Sequence, residues 1–200
     1  MLSNFHLDAH ASEIIALTGP SGIGKTSILR SILGLLPAQQ GSISIDGNSI
    51  PLALKERPAA LRTRFGWISQ ESELALNPHA PIMSLLRRTH ATNKEISHML
   101  AILELPDFST KENRKFRADN LSGGQRQRIN VAITLLSKPD IILADEPTSA
   151  LDAHSAELTL NVLHNFRTPD SAIIVVSHDA TVLRKVDRVI NIATTSGFDV

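Results

Sequence analysis

Eight residues near the start of this chain, Gly19-Pro20-Ser21-Gly22-Ile23-Gly24-Lys25-Thr26, follow the pattern G-x-x-x-x-G-K-[ST], a spacing suited to holding a polyphosphate. Glycines let the backbone curl until successive N–H groups converge on phosphate oxygens, and a helix start behind them adds the positive end of its dipole. Lys25 supplies a point charge to the β- and γ-phosphates, and Thr26 a hydroxyl to Mg²⁺. Far downstream, Asp145 ends an apolar run, where a carboxylate can hold the same cation opposite Thr26. Glu146, next to it, could orient or deprotonate an attacking water, or stand as an ordinary helix-start or surface glutamate. His178, in Ser177-His178-Asp179, could touch a terminal phosphate or be a structural histidine, and Gln70 carries an amide able to reach metal or water. A second glycine-bearing turn, Leu121-Ser122-Gly123-Gly124-Gln125, exposes backbone N–H groups beside a hydroxyl at a helix start, which makes an anion site without a lysine. Arg126 and Arg128 behind it read as a solvated or packing face.

These groups need a scaffold that brings strand ends together. Glu13–Thr18 reads as a buried strand feeding the loop, and Ile28, Leu29, Ile32 and Leu33 recur at helical spacing up to a stop at Gly34. Gly41–Ile45 alternates like a half-buried strand, and Asp46-Gly47 marks a turn, so a short antiparallel piece is expected before Leu52. Phe65–Ser69, Ile141–Ala144 and Ala172–Val176 read as core strands, with a helix from about Ala153 to Phe166 between the last two. From about 71 to 136 the texture is helical. Ile96, Met99, Leu100 and Leu103 form one stripe, opened by Asn93 as cap and closed by Pro106. The expected fold is α/β, with a mostly parallel sheet, a small antiparallel β piece and an inserted α-helical subdomain. As domains, 1–200 is one unit, about 1–70 and 137–200 its α/β core, and about 71–136 the helical subdomain.

The chain has 200 residues, 42% of them apolar, enough for one domain with a sizeable core. Lys plus Arg equals Asp plus Glu at 20 each, so bulk charge gives no reason to expect nucleic acid. The absence of cysteine excludes disulfides and thiolate metal sites and fits a reducing compartment. No apolar run reaches membrane-spanning length and the N-terminus lacks a secretory signal, so the chain is expected to be soluble by itself, with any membrane role reached through a partner.

In their order, these motifs resemble the ATP-binding cassette (ABC) ATPase subunits of transporters, over nearly the whole chain. The resemblance identifies Gly19–Thr26 with the following Ser27 as Walker A, Gln70 as the Q-loop glutamine and Leu121–Gln125 as the signature. Walker B ends at Asp145-Glu146, the D-loop is Ser149-Ala150-Leu151-Asp152, and His178 is the switch histidine. It implies a P-loop NTPase core, ATP and Mg²⁺ as cofactors, metal contacts from Thr26, Gln70 and Asp145, and catalysis by Glu146, His178 and Gln70. It further implies that two cassettes pack head to tail, with Leu121–Gln125 and Asp152 acting on the partner's ATP. The other partners it implies are transmembrane permease subunits and a solute-binding protein. The chain would then sit at the cytoplasmic face of a membrane, held there by the permease, with residues about 71–90 as docking face. Met83, Leu85 and Leu86 within that segment are expected in the core.

Gln70-Glu71, Leu76-Asn77-Pro78, Leu36-Pro37 and the D-loop most resemble importers of peptides, nickel and opines. A non-transport ABC ATPase in DNA repair or translation is the alternative; the lack of sustained heptads before the signature and the single cassette count against it. Intact Lys25, Asp145, Glu146 and His178 count against a pseudo-ATPase. The chain departs from the pattern in three ways. It lacks tyrosine and Phe5 is misplaced for stacking on adenine, so weaker or differently made base contacts are expected. Ile133-Thr134-Leu135-Leu136 stands where Ala-Arg-Ala-Leu is common. The sequence stops soon after Val189-Ile190, so a regulatory C-terminal domain is not expected.

Overall fold

Two side-chain periods divide the interior of the protein into two apolar faces. The computed structural model describes residues 5–36, 38, 40–166 and 168–192, without the side chains of Glu73 and Leu74. Its main sheet holds β1 (Ile14–Thr18), β4 (Phe65–Ile68), β5 (Ile141–Asp145), β6 (Ala172–Val176) and β7 (Arg188–Asn191), in the order β4-β5-β6-β1-β7 with every pairing parallel. Ile14, Ala16, Ile142, Ala144, Ile173 and Val175 face one cluster, while Ile15, Leu17, Leu143, Ile174 and Val176 face the other. This is the strict alternation of a pleated strand, here buried on both sides.

Helix α1 (Lys25–Leu33) covers the second face through Leu29 and Leu33, and ends at Gly34, whose φ of 80° no β-branched residue would accept. The other face is covered by α6 (Gly123–Leu136) and α7 (Ala153–Asn165), through Ile129, Ala132, Leu135, Leu160 and Leu163. The hairpin β2 (Ile43–Ile45) and β3 (Asn48–Ile50) stands apart as a two-stranded antiparallel sheet. Its turn residues Asp46 and Gly47 both have positive φ, as the Asp-Gly pair foretells. Short helix α2 (Ala59–Arg62) leads into β4, and buried Arg57 lies over the Phe65 ring at 5.0 Å while donating to the Pro51 carbonyl.

Between β4 and β5 run α3 (Ser72–Ala75), α4 (Ile82–Arg87), α5 (Asn93–Ile102) and then α6. Met83, Leu85 and Leu86 are buried in the same cluster as one face of the sheet. Helix α5 corrects two expectations. Thr92, not Asn93, is its cap, in a reciprocal box with Glu95, because Asn93 already lies inside the first turn. The helix also ends at Ile102, ahead of Pro106, where Glu104 takes a positive φ of 50°. Helix α8 (Ala180–Leu183) joins β6 to β7. Pro37 of the Leu36-Pro37 pair lies outside the described residues.

The end of α6 comes so close to β4 that Gly66 has no room for a side chain. A Cβ there would stand 2.7 Å from both Pro139 Cγ and Thr134 Cγ2. Thr134 fixes the approach by donating its hydroxyl to the Trp67 carbonyl at 3.1 Å, so the departure at Ile133–Leu136 supplies a contact of its own.

Candidate active site

The strand order sets the carboxyl ends of β4, β5, β6 and β1 side by side, and each end carries one of the groups singled out above. From β1 the chain turns at Gly19 (φ 145°) and enters α1 through Gly24 (φ 106°), a left-handed cap with no side-chain bond to the first amides. Those amides point outward from a helix start, where an anion is favoured. Lys25 folds back over the loop, its Nζ donating to the carbonyls of Gly19 at 2.8 Å and Pro20 at 2.9 Å.

Across from the loop, Thr26 Oγ1 donates to Asp145 Oδ1 at 3.1 Å. Burial pushes the Asp145 carboxyl up, with the Thr26 bond and the charges of Arg30 and Lys25 working the other way. Glu146 follows in a left-handed conformation, φ 47°, and its amide donates to the Val176 carbonyl of β6 at 2.9 Å. That turn aims its carboxylate at His178, whose Nδ1 lies 2.8 Å from Glu146 Oε1. The two differ in exposure, the glutamate side chain being 13% exposed and the histidine 83%. Gln70 is exposed two residues past the end of β4.

The second glycine turn is finished differently. Ser122 caps α6, accepting from the Gln125 amide at 3.2 Å, while the Gln125 side chain accepts from the Ser122 amide at 3.0 Å. Leu121 anchors the turn in the core, and above Gly123 a Cβ would meet nothing within 4 Å, so this start is open to approach. Gly124 faces Leu151 and the Ala150 carbonyl, bringing 149–152 against the turn. Asp152 is engaged as the cap of α7, where the backbone and hydroxyl bonds from Ser155 hold its carboxyl below the usual range. Arg128 donates to the Leu103 carbonyl at 2.7 Å, the packing role expected of it.

The structure thus joins Lys25, Thr26, Asp145, Glu146 and His178 around one edge of the sheet and leaves Leu121–Gln125 at a separate helix start. Phe5, the residue doubted as an adenine partner, packs against the α1-side core. Gln127 is buried within the polar run Gln125-Arg126-Gln127-Arg128, a position that gives no sign of burial from residue type alone. Its spacing to Val131 and Leu135, both buried, is the signal that could have found it.

The donor set fits a magnesium nucleotide. Among the described residues no three His, Cys, Asp or Glu side chains cluster as a metal cage. Thr26 and Asp145 would offer Mg²⁺ one hydroxyl and one carboxylate oxygen, and the uncapped amides beside them would receive the phosphates that accompany it.

A family model described as ABC transporter matches residues 2–149. The chain belongs to the ABC transporter family. Among curated proteins, the macrolide export ATP-binding/permease protein MacB of Burkholderia lata is 33% identical over 198 residues, and MacB of Escherichia coli K12 is 34% identical over 195. The alignments cover 96% of this chain but 28% and 30% of those proteins, so the chain spans less than a third of their length. A dimeric ATP-binding cassette solved in a post-hydrolysis state with ADP and Pi superposes with a TM-score of 0.76 at 28% identity, covering 95% of this chain and 85% of that one. A bacterial Atm1-family ABC exporter with ATP bound gives 0.78 at 26% identity, over 92% of this chain and 32% of the exporter. The fold is therefore the P-loop α/β fold of an ABC ATPase, with its small antiparallel sheet and helical elements. Among the described residues no helix is long and apolar enough to cross a membrane.

Proposed function

We propose that this cassette binds and hydrolyses MgATP to drive a transporter, and that two copies, or this chain and a paralogue, close head to tail around the nucleotide. The observation that carries the reading is the pair of linked contacts at the sheet edge, Thr26 with Asp145 and Glu146 with His178, beside an uncapped glycine loop. The cassette solved as a dimer with ADP and Pi supports it by likeness of fold and sequence.

In this reading the amides from Gly19 to Ser27 receive the phosphates, and Lys25 exchanges its two loop carbonyls for β- and γ-oxygens. Thr26 and Asp145, with Gln70, would hold the cation, which would supply charge neutralisation at the phosphate oxygens. Glu146 Oε accepts the proton of the attacking water, and His178, released from that carboxylate, turns to the γ-phosphate. Ser122, Gly123 and Gly124, with Asp152 behind them, close over the partner's phosphate. Binding energy of the shared nucleotide stabilises the closed pair, and hydrolysis removes it.

The segment 71–136 serves as the helical subdomain, and permease subunits dock on the exposed side of 71–90. A concave surface lined by Ser84, Arg87, Arg88, His90 and Arg114, with the largely buried Met83 in its wall, supports that placement, whereas buried Leu85 and Leu86 take no part in it. Through the permease the chain works at the cytoplasmic face of a membrane.

Import of peptides, nickel or similar solutes, with a solute-binding protein, rests on Gln70-Glu71 and Leu76-Asn77-Pro78. Export is the second reading, favoured by the identity to MacB proteins. Replacing Glu146 by Gln tests the common core of both. Phosphate release should fall roughly 10²–10⁴-fold while ATP-bound dimers accumulate on size exclusion. Undiminished turnover would refute the role given to Glu146.

A further inference from the structure

Gln127 sits in the second turn of α6, behind the Ser122 cap, and is 1% exposed. Its Nε2 donates to the Pro147 carbonyl at 3.2 Å, across 20 residues of sequence, and its Oε1 is buried without a partner. An amide kept so deep, with half its bonding capacity unused, is a poor choice for packing alone. What it holds is the turn that carries Glu146. That residue has a φ of 47°, a conformation non-glycine residues keep only when their surroundings impose it. Its amide is tied to Val176, and its carbonyl accepts both the amide and the hydroxyl of Ser149. Pro147 brings no N–H of its own, so its carbonyl is the next group by which the turn can be held, and Gln127 holds it.

We infer that Gln127 is a positioning residue for hydrolysis: its bond to Pro147 fixes the angle of the Glu146 carboxylate and ties it to the start of α6. One helix then carries the turn offered to a partner's nucleotide and steadies the carboxylate beside the chain's own phosphate loop. This rests on the ATPase reading above.

The test is steady-state phosphate release by the full chain, with ATP binding and thermal unfolding measured in parallel, for Gln127→Met and Gln127→Glu. Methionine keeps the volume and removes both the donor and the orphan acceptor. The expected result is a thermal midpoint at or above that of the original protein, KM for MgATP within about twofold, and kcat lower on the order of tenfold to a hundredfold. Glutamate keeps the shape without the amide donor and should lose kcat likewise. Unchanged kcat in either folded variant overturns the inference, as does a rise in KM that matches the fall in kcat/KM. If the unsubstituted chain binds ATP but releases no phosphate alone or with its partner subunits, the ATPase reading fails, and this inference with it. An active parent with active variants refutes the positioning role alone.

Discussion

Helices α1 and α6 both begin at glycine-bearing turns, yet the two starts are finished in opposite ways. The first amides of α1 receive no side chain, and its lysine is parked on the carbonyls of Gly19 and Pro20. The first turn of α6 is closed by the Ser122–Gln125 box, and only the surface over Gly123 is left open. If both starts meet phosphate as proposed, the first must rearrange a charged side chain to accept it, whereas the second keeps the capping bonds it already has. A loop meant to capture nucleotide from solution gains from the first arrangement, and a surface that meets an already bound nucleotide gains from the second, because little ordering remains to be done on contact.

The largest effect that would break this comparison is at Lys25. Lys25→Ala should weaken MgATP affinity on the order of 100-fold, the scale of a lost charge-assisted bond, and leave thermal stability nearly unchanged because both present bonds stay within the loop. Isothermal titration and a melting curve separate the two quantities; an affinity within twofold of the original would show that the loop works without its lysine. At α6 the balance should reverse. Ser122→Ala removes the cap and should lower stability by about 1 kcal/mol in urea unfolding while also reducing hydrolysis. Gly123→Ala meets no atom, so it should fold as well as the original and still lose turnover in the closed pair. Equal turnover in Gly123→Ala would mean that no phosphate approaches this face.

The smallest effect concerns α5, whose Thr92–Glu95 box copies that of α6 without the glycines. Lys138, first, and then the Thr92 bonds lower the Glu95 carboxyl from 4.5 to about 2. A carboxylate with a lowered pKa contributes stability above its unfolded value, and the contribution disappears as pH falls from about 4.5 to about 2. Glu95→Gln should therefore lower the melting temperature slightly at neutral pH, with the difference closing over that acid window and no change in hydrolysis. A difference independent of pH would place the effect in helix propensity instead.

Much of this contrast is legible in the amino-acid sequence. The phosphate loop, the Asp145-Glu146 pair and the core strands announce themselves because glycine spacing and unbroken apolar runs have few other uses. The Asp46-Gly47 hairpin was equally plain. Sheet order could not be read, since no residue in β4 or β7 names its neighbour and pairing is set by packing across many elements. Nor could the cap of α5, where Thr92 and Asn93 are both able to cap and only the geometry of entry decides. Within the site, the Thr26–Asp145 contact follows from the chemistry of the pair, whereas the parking of Lys25 does not, because it depends on carbonyl directions in a folded loop. Gln127 was hidden by its own polarity among arginines.

The bare position at Gly66 has a consequence for how such a sequence can drift over generations. Thr134 and Pro139 occupy the volume a side chain there would need, so what position 66 can accept depends on what stands at 134 and 139. A single step to alanine at 66 is closed, because interiors at crystal-like density have no slack to receive it. The same step becomes open once 134 has shrunk and 139 has changed, so relatives that carry a side chain at 66 should differ at 134 and 139 as well.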